Sequence, residues 1–355
     1  MKYAILNGEF YLERSTSAMI ETILLGTYTK QTSEGIYQVE LDTTQKQLQN
    51  LQLVAKVENP TYLTVSHQQM LYAVDRYQDQ GGVSVTQLGD RSQVLQHLVQ
   101  PGTPPAYVTV DEHRHLVFDA NYHEGTVHAY QIQADGTLNL AHTFTNQGSG
   151  PRPEQSEAHP HYVDRTPDEH LVVCDLGCDE VFILDYDAAT GFQTVSKYET
   201  APGFGPRHVV FNQQGNTAYL VGELASEVEV LNYHNGEFRH VQTLKTIPDD
   251  WEQHNGAAAI RITSDNRFVY VSNRGHDSIA VFAVNDDGTL ELIQNCAIAG
   301  SFPRDFALNA DERFLVCGNQ TTNNLSLFER NSENGKLKLI QKDFAAPEVV
   351  CVYFK

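Results

Sequence analysis

The stretch Pro202–Val230, PGFGPRHVVFNQQGNTAYLVGELASEVEV, contains two apolar runs parted by a polar tetrad. PRHVVF (Pro206–Phe211) and AYLVGE (Ala218–Glu223) are rich in Val, Phe, Tyr and Leu, and the intervening NQQG is turn-prone, which is the pattern of an antiparallel hairpin. Its charges gather at one end. Arg207 and His208 open the first strand and Glu223 closes the second. In an antiparallel pair those two ends lie side by side.

The hairpin recurs along the chain. First strands open as PTYLTV at Pro60, PAYVTV at Pro105, PHYVDR at Pro160, PRHVVF at Pro206, AAIRIT at Ala258, PRDFAL at Pro303 and PEVVCV at Pro347. Second strands read ILLGTY from Ile23, LYAVDR from Leu71, LVFDAN from Leu116, LVVCDL from Leu171, AYLVGE from Ala218, FVYVSN from Phe268 and FLVCGN from Phe314. A third strand follows each time, as in SIAVFAV from Ser278, and a fourth follows a DG or NG turn, as in NDDGTLELIQ and NSENGKLKLI. Four strands repeating every 44 to 55 residues predict an all-β fold, a seven-bladed β-propeller with four-stranded antiparallel blades. The chain enters on a second strand near Ile23 and ends on a first strand at Pro347, so the C-terminal strand is expected to complete the N-terminal blade and remove the exposed edges.

Residues 21–355 then form one propeller domain. Residues 1–20 belong to no repeat and are either an N-terminal extension or untranslated, with the true start at Met19. Longer insertions near GSGPRPEQSEAH and IPDDWEQHNG are expected as loops over one face.

Composition bounds the function. With 41% hydrophobic residues and 10% aromatics the chain can bury a large core. No run approaches the roughly 18 apolar residues of a membrane span, and the first twenty residues lack a signal-peptide core, so a cytoplasmic protein is expected. Five cysteines, Cys174, Cys178, Cys296, Cys317 and Cys351, sit mostly in apolar runs and suit buried thiols better than disulfides. A net charge of -21 excludes nucleic acid and anionic membrane as partners. If the substrate is an anion, clustered arginines must overcome that global field.

The antiparallel rule collects polar residues at one mouth of the central channel. Strand starts contribute His159, His161, Arg207, His208, Arg304 and Asp305. Second-strand ends contribute Asn121, Tyr122, Asp175, Glu223, Asn273, Arg274, Asn319 and Gln320, and Tyr28 is a further wall candidate. Any one of these is ordinary as a polar cap on a solvated blade end. As a set they form a concave site with convergent titratable groups.

The runs HPHYVDRTPDEHLVVCDLGCDEV, GFGPRHVVFNQQGNTAYLVGELASEV, AAAIRITSDNRFVYVSNRGHDSIAVF and FPRDFALNADERFLVCGNQTTNNLSLF resemble the seven-bladed lactonase family, which includes propeller-type 6-phosphogluconolactonases and 3-carboxy-cis,cis-muconate lactonizing enzymes. The resemblance covers Ile20 to Lys355. It implies a catalytic set of His161, Arg207, Glu223 and Arg274, with His159 the alternative to His161. His159, His208, Asn121, Asp175, Asn273, Arg304, Asn319 and Gln320 are expected to bind substrate.

The implied reaction is hydrolysis of a sugar lactone, 6-phospho-D-glucono-1,5-lactone foremost, so the expected partner is a small anionic lactone. His161 is a candidate general base, and Glu223 is its rival if burial raises its pKa. Arg207 and Arg274 offer forks for an oxyanion or an anionic tail, and Arg304 is a further phosphate-holding candidate. The bland reading of Glu223 and Arg207 is a structural ion pair. No G-x-S-x-G elbow, P-loop or G-x-G-x-x-G turn is present, and no cofactor is expected. A metal site drawn from His159, His161, Asp175, His208, His254 and His276, or from Glu223, Asn273 and Asn319, is disfavoured because arginines at the same mouth repel a cation. Two alternatives remain: a lactonizing enzyme on the same site, and a silent propeller that binds protein.

Overall fold

A computed structural model describes residues 20–89 and 91–355, together with the backbone of two short paired strands, Tyr3–Leu6 and Glu9–Leu12. The extension expected over residues 1–20 otherwise lies outside the described residues.

Seven four-stranded antiparallel sheets follow one another in chain order. The first is the mixed one: Val349–Phe354 pairs with Ile20–Thr27, so the C-terminal strand completes the N-terminal blade as expected. Blades are numbered here from that one. Seven apolar clusters hold the ring, each shared by two neighbouring blades. Ile23, Leu25 and Val39 of blade one pack on Phe314, Val316 and Leu325 of blade seven, which seals the circle. Burying alternate Val, Ile, Leu and Phe between sheets is what the period-2 pattern encodes.

Outer strands carry a repeated device. In blades two, five, six and seven an extra residue, Leu95, Val241, Ile293 or Ile340, bulges from the fourth strand. The glutamine that follows reaches the next blade. Gln242 accepts from Leu290 N at 2.8 Å and donates to Leu290 O at 3.1 Å, and Gln96, Gln294 and Gln341 do the same to Leu138, Leu337 and Leu48. The bulge breaks up an open sheet edge while aiming the side chain.

The channel is blocked midway. Tyr62, Tyr107, Tyr162 and His208 meet there, with ring centroids 4.2 to 5.5 Å apart, beside the ion pair of Arg261 and Asp305 at 2.8 Å. The strand-end residues gather around the mouth above this cluster, and the cluster itself lines a separate cavity of about 320 Å³. No helix among the described residues is long and apolar enough to cross a membrane.

Candidate active site

In blades four, five and seven the first strand enters the sheet through a proline and then a bulge. Pro160 pairs with Asp175 and Tyr162 with Cys174, leaving His161 as the extra residue. Arg207 is extra between Pro206 and His208, and Arg304 between Pro303 and Asp305. A bulge turns one side chain out of the ladder. Blade six differs: Ala257 pairs with Asn273 and so takes the proline's place. Its first strand therefore lies one residue earlier than the AAIRIT alignment from Ala258 predicts.

A cavity of about 420 Å³ occupies the mouth, and all seven blades line it. His161, Glu223 and Arg274 form one wall. Tyr28, Lys30 and Arg304 stand on blades one and seven, and Asn59, Thr61, Arg76, Tyr122 and His123 complete the rim. A second cavity of about 570 Å³ shares Glu223 and Arg274 and runs beneath Arg152, Glu154, Gln253 and His254. Both long insertions thus lie over this face, as expected.

Glu223 is the electrostatic centre. Its Oε2 lies 2.8 Å from Arg207 Nε and 2.8 Å from Arg274 Nη2. The Arg207 Nε–H is not aimed along that line, so the contact is Coulombic. Both guanidiniums are anchored to the alanine strand of blade six: Arg207 Nη1 donates to Ala258 O at 2.7 Å, and Arg274 donates to Gly256 O at 3.1 Å and Ala257 O at 3.3 Å. Small residues there leave the arginines room. A Cβ on Gly256 would stand 3.0 Å from Arg274 Nη2. Phe302 supports the other face of Arg274, 5.3 Å from its ring centroid.

Burial pushes Glu223 up, but Arg274 and Arg207 together outweigh it and hold the carboxyl below its ordinary value. Arg207 is pushed down to about 9 by burial and by Arg274. His161 is held well below 6.5 by burial first and then by Arg207, Arg304 and Arg274. Its Nδ1 is buried without a hydrogen-bond partner. At neutral pH the ring is uncharged, packed near His208 with centroids 5.2 Å apart.

Of the four expected catalytic residues, His161, Glu223 and Arg274 reach the cavity wall. Arg207 does not; it lies underneath, almost wholly buried, against Glu223 and His208. Of the two candidate histidines only His161 is on the cavity lining. His159 stacks on Tyr122 with centroids 4.1 Å apart, and its Nδ1 donates to Tyr122 O at 2.6 Å, which places it behind the wall.

Most of the expected substrate contacts are spent on backbone. Asn121 caps the turn to His123 and Glu124 and bonds Thr103 O. Asp175 accepts from the amides of His159, Gly177 and Cys178, Asn273 bridges to Thr246, and Asn319 bonds Ser326. Asn121 and Asp175 thus satisfy tight turns whose unpaired amides need an acceptor, while Asn273 and Asn319 tie neighbouring segments together. His208 belongs to the channel plug, and Gln320, whose backbone N–H donates to Phe302 O, is not on the wall. Arg304 alone of that set lines the cavity. Tyr28, expected as a wall residue, does line the cavity, and the antiparallel rule applied to blades one and two would have found Lys30 and Arg76 as well. Among the described residues, no three His, Cys, Asp or Glu side chains cluster to hold a metal.

Residues 22–354 match the family described as Lactonase, 7-bladed beta-propeller. The chain belongs to this family. It is 43% identical to the 6-phosphogluconolactonase of Bacillus subtilis over 344 residues, 93% of this chain and 97% of the relative. A solved protein from Lactobacillus plantarum superposes with a TM-score of 0.94 at 50% identity, covering 95% and 100% of the two chains. A periplasmic gluconolactonase of Pseudomonas aeruginosa does so with 0.90 at 30% identity, covering 95% and 99%. Family and relatives together support a lactone hydrolase.

Proposed function

We propose that this lactonase-family protein hydrolyses an anionic sugar lactone, 6-phospho-D-glucono-1,5-lactone, to open-chain 6-phosphogluconate. The observation that carries the reading is an uncharged histidine, His161, on the same cavity as a carboxylate locked against Arg274. Glu223, held ionised by two arginines, is a poor proton acceptor, which favours His161 as the base.

His161 takes a proton from water as the oxygen attacks the ester carbon. The carbonyl oxygen becomes an alkoxide, and Arg274, fixed by Gly256 O and Glu223, neutralises it. Collapse breaks the ring C–O bond, and the departing oxygen recovers the proton from His161. Glu223 holds Arg274 in place and is available to a substrate hydroxyl. Arg207 acts through Glu223 and by keeping His161 uncharged.

The test is hydrolysis of 6-phosphogluconolactone, corrected for the spontaneous reaction, by wild type and His161→Ala. Loss of general-base catalysis is expected to lower kcat by about 10²- to 10⁴-fold with the thermal unfolding curve intact. A folded His161→Ala variant that retains the wild-type rate would remove His161 from the chemistry.

A further inference from the structure

Two cations stand on the mouth outside the Glu223 ion pairs, Arg304 sensing that carboxylate only at longer range. Lys30 Nζ sits 4.0 Å from the centroid of the Tyr28 ring, and the Arg304 guanidinium carbon sits 5.8 Å from the same centroid. All three line the cavity. Among the described residues neither cation has an ion-pair partner, in a chain where acids outnumber bases 45 to 24. By contrast the neighbouring Arg76 is occupied, with Asp79 at 2.9 Å and Glu58 at 3.5 Å.

The backbone that presents Lys30 is held at every amide. Tyr28 N donates to Glu348 O, Thr29 N donates to Asn59 Oδ1, and the amides of Lys30, Gln31, Thr32 and Ser33 all donate to the Glu348 carboxylate at 2.9 to 3.1 Å. A fixed loop therefore carries an unengaged ammonium into the cavity. Like charges held against one ring repel, and an anion between them relieves that repulsion. The loop order is already present before any ligand arrives, so little is lost on binding.

We infer that Lys30 and Arg304, gathered against Tyr28, form the subsite for the phosphate tail and set the preference for phosphorylated over neutral lactones. This rests on the lactonase reading above. A phosphate monoester carries close to two charges at neutral pH and three acceptor oxygens, enough to engage the Arg304 fork and the Lys30 point charge together. The subsite belongs to blades seven and one, whereas His161 and Glu223 belong to blades four and five. The ester carbon and the tail are thus placed on different walls of one cavity.

The experiment compares kcat/KM on 6-phosphogluconolactone and on unphosphorylated glucono-1,5-lactone for wild type, Lys30→Met and Arg304→Met. Methionine keeps an apolar stem over Tyr28. Each variant is expected to lose about 10- to 100-fold on the phosphorylated substrate, mostly in KM, since a hydrogen bond to a charged group is removed. Because Arg304 also depresses His161, the Lys30→Met result decides. Equal losses on both lactones, or no loss on either, would overturn the subsite. Calorimetric titration with inorganic phosphate reads the same site without catalysis: binding that Lys30→Met weakens is expected, and unchanged binding counts against it. If wild type hydrolyses neither lactone, the hydrolase reading falls while the phosphate titration still decides the subsite.

Discussion

His161 and His208 are both buried and both held well below 6.5, His161 by burial and the arginines, His208 by burial and Arg207. The consequence for stability has a definite sign. Between the depressed folded value and about 6.5, the ordinary value in the unfolded chain, the unfolded state binds more protons than the native one, so stability falls as pH drops through that window. Urea unfolding at pH 7 and pH 5 is expected to show this loss, and His208→Gln is expected to reduce the slope. A pH-independent midpoint would mean that both rings titrate normally. His161 was legible as a mouth residue because it follows a strand-opening proline. That Arg207, in the same motif, turns under the wall was not legible, since it depends on the vacant space above Ala257–Ala259 in the next blade.

At the level of elements, the glutamine clamps tie blades whose sheets share no ladder. Gln242 supplies both a donor and an acceptor to Leu290, a partner 48 residues away. Gln242→Ala is expected to cost about 1–2 kcal/mol, since two modest bonds are lost and two backbone groups are left to water. Chemical denaturation checks it; a change within a few tenths would mean that the clamp contributes no more than a surface contact. The turn residues and apolar alternation announced the paired first and second strands of all seven blades, with blade six one residue out of place. The bulges did not announce themselves, because an extra residue is defined only against the register of the strand opposite. The same reason explains Asn121, Asp175, Asn273 and Asn319. Their position at second-strand ends was readable, whereas their partners, turn amides for Asn121 and Asp175, Thr246 for Asn273 and Ser326 for Asn319, depended on the folded surroundings.

For the molecule as a whole, Glu348 joins ring closure to the mouth. It lies just before the closing strand, and its carboxylate binds four amides of the loop that follows the first strand of the chain's own ring. Burial raises its pKa, but the backbone N–H groups outweigh this and hold it below 4.5. The stability it contributes is present above the unfolded value of about 4.5 and is lost as pH falls through the lower folded value. Glu348→Gln is expected to destabilise the ring at pH 7 by about 1–3 kcal/mol, as charged hydrogen bonds become neutral ones, and to narrow the gap from wild type in acid. Thermal unfolding at pH 7 and pH 3 tests this; a gap that stays constant would exclude the carboxylate's charge as its source.

Local chemistry in the chain determined the blade number, the closure by Pro347–Lys355 and the end of the disc at which the charges collect. Each of these follows from alternation, turn residues and antiparallel pairing, which act over a few neighbouring positions. Tertiary structure alone decided which charges face the cavity: Glu223 tied between two arginines, Arg207 beneath the wall, Arg304 and Lys30 outside those ion pairs on the rim. Those outcomes depend on space and counter-charge supplied by other blades, brought close only when the ring closes.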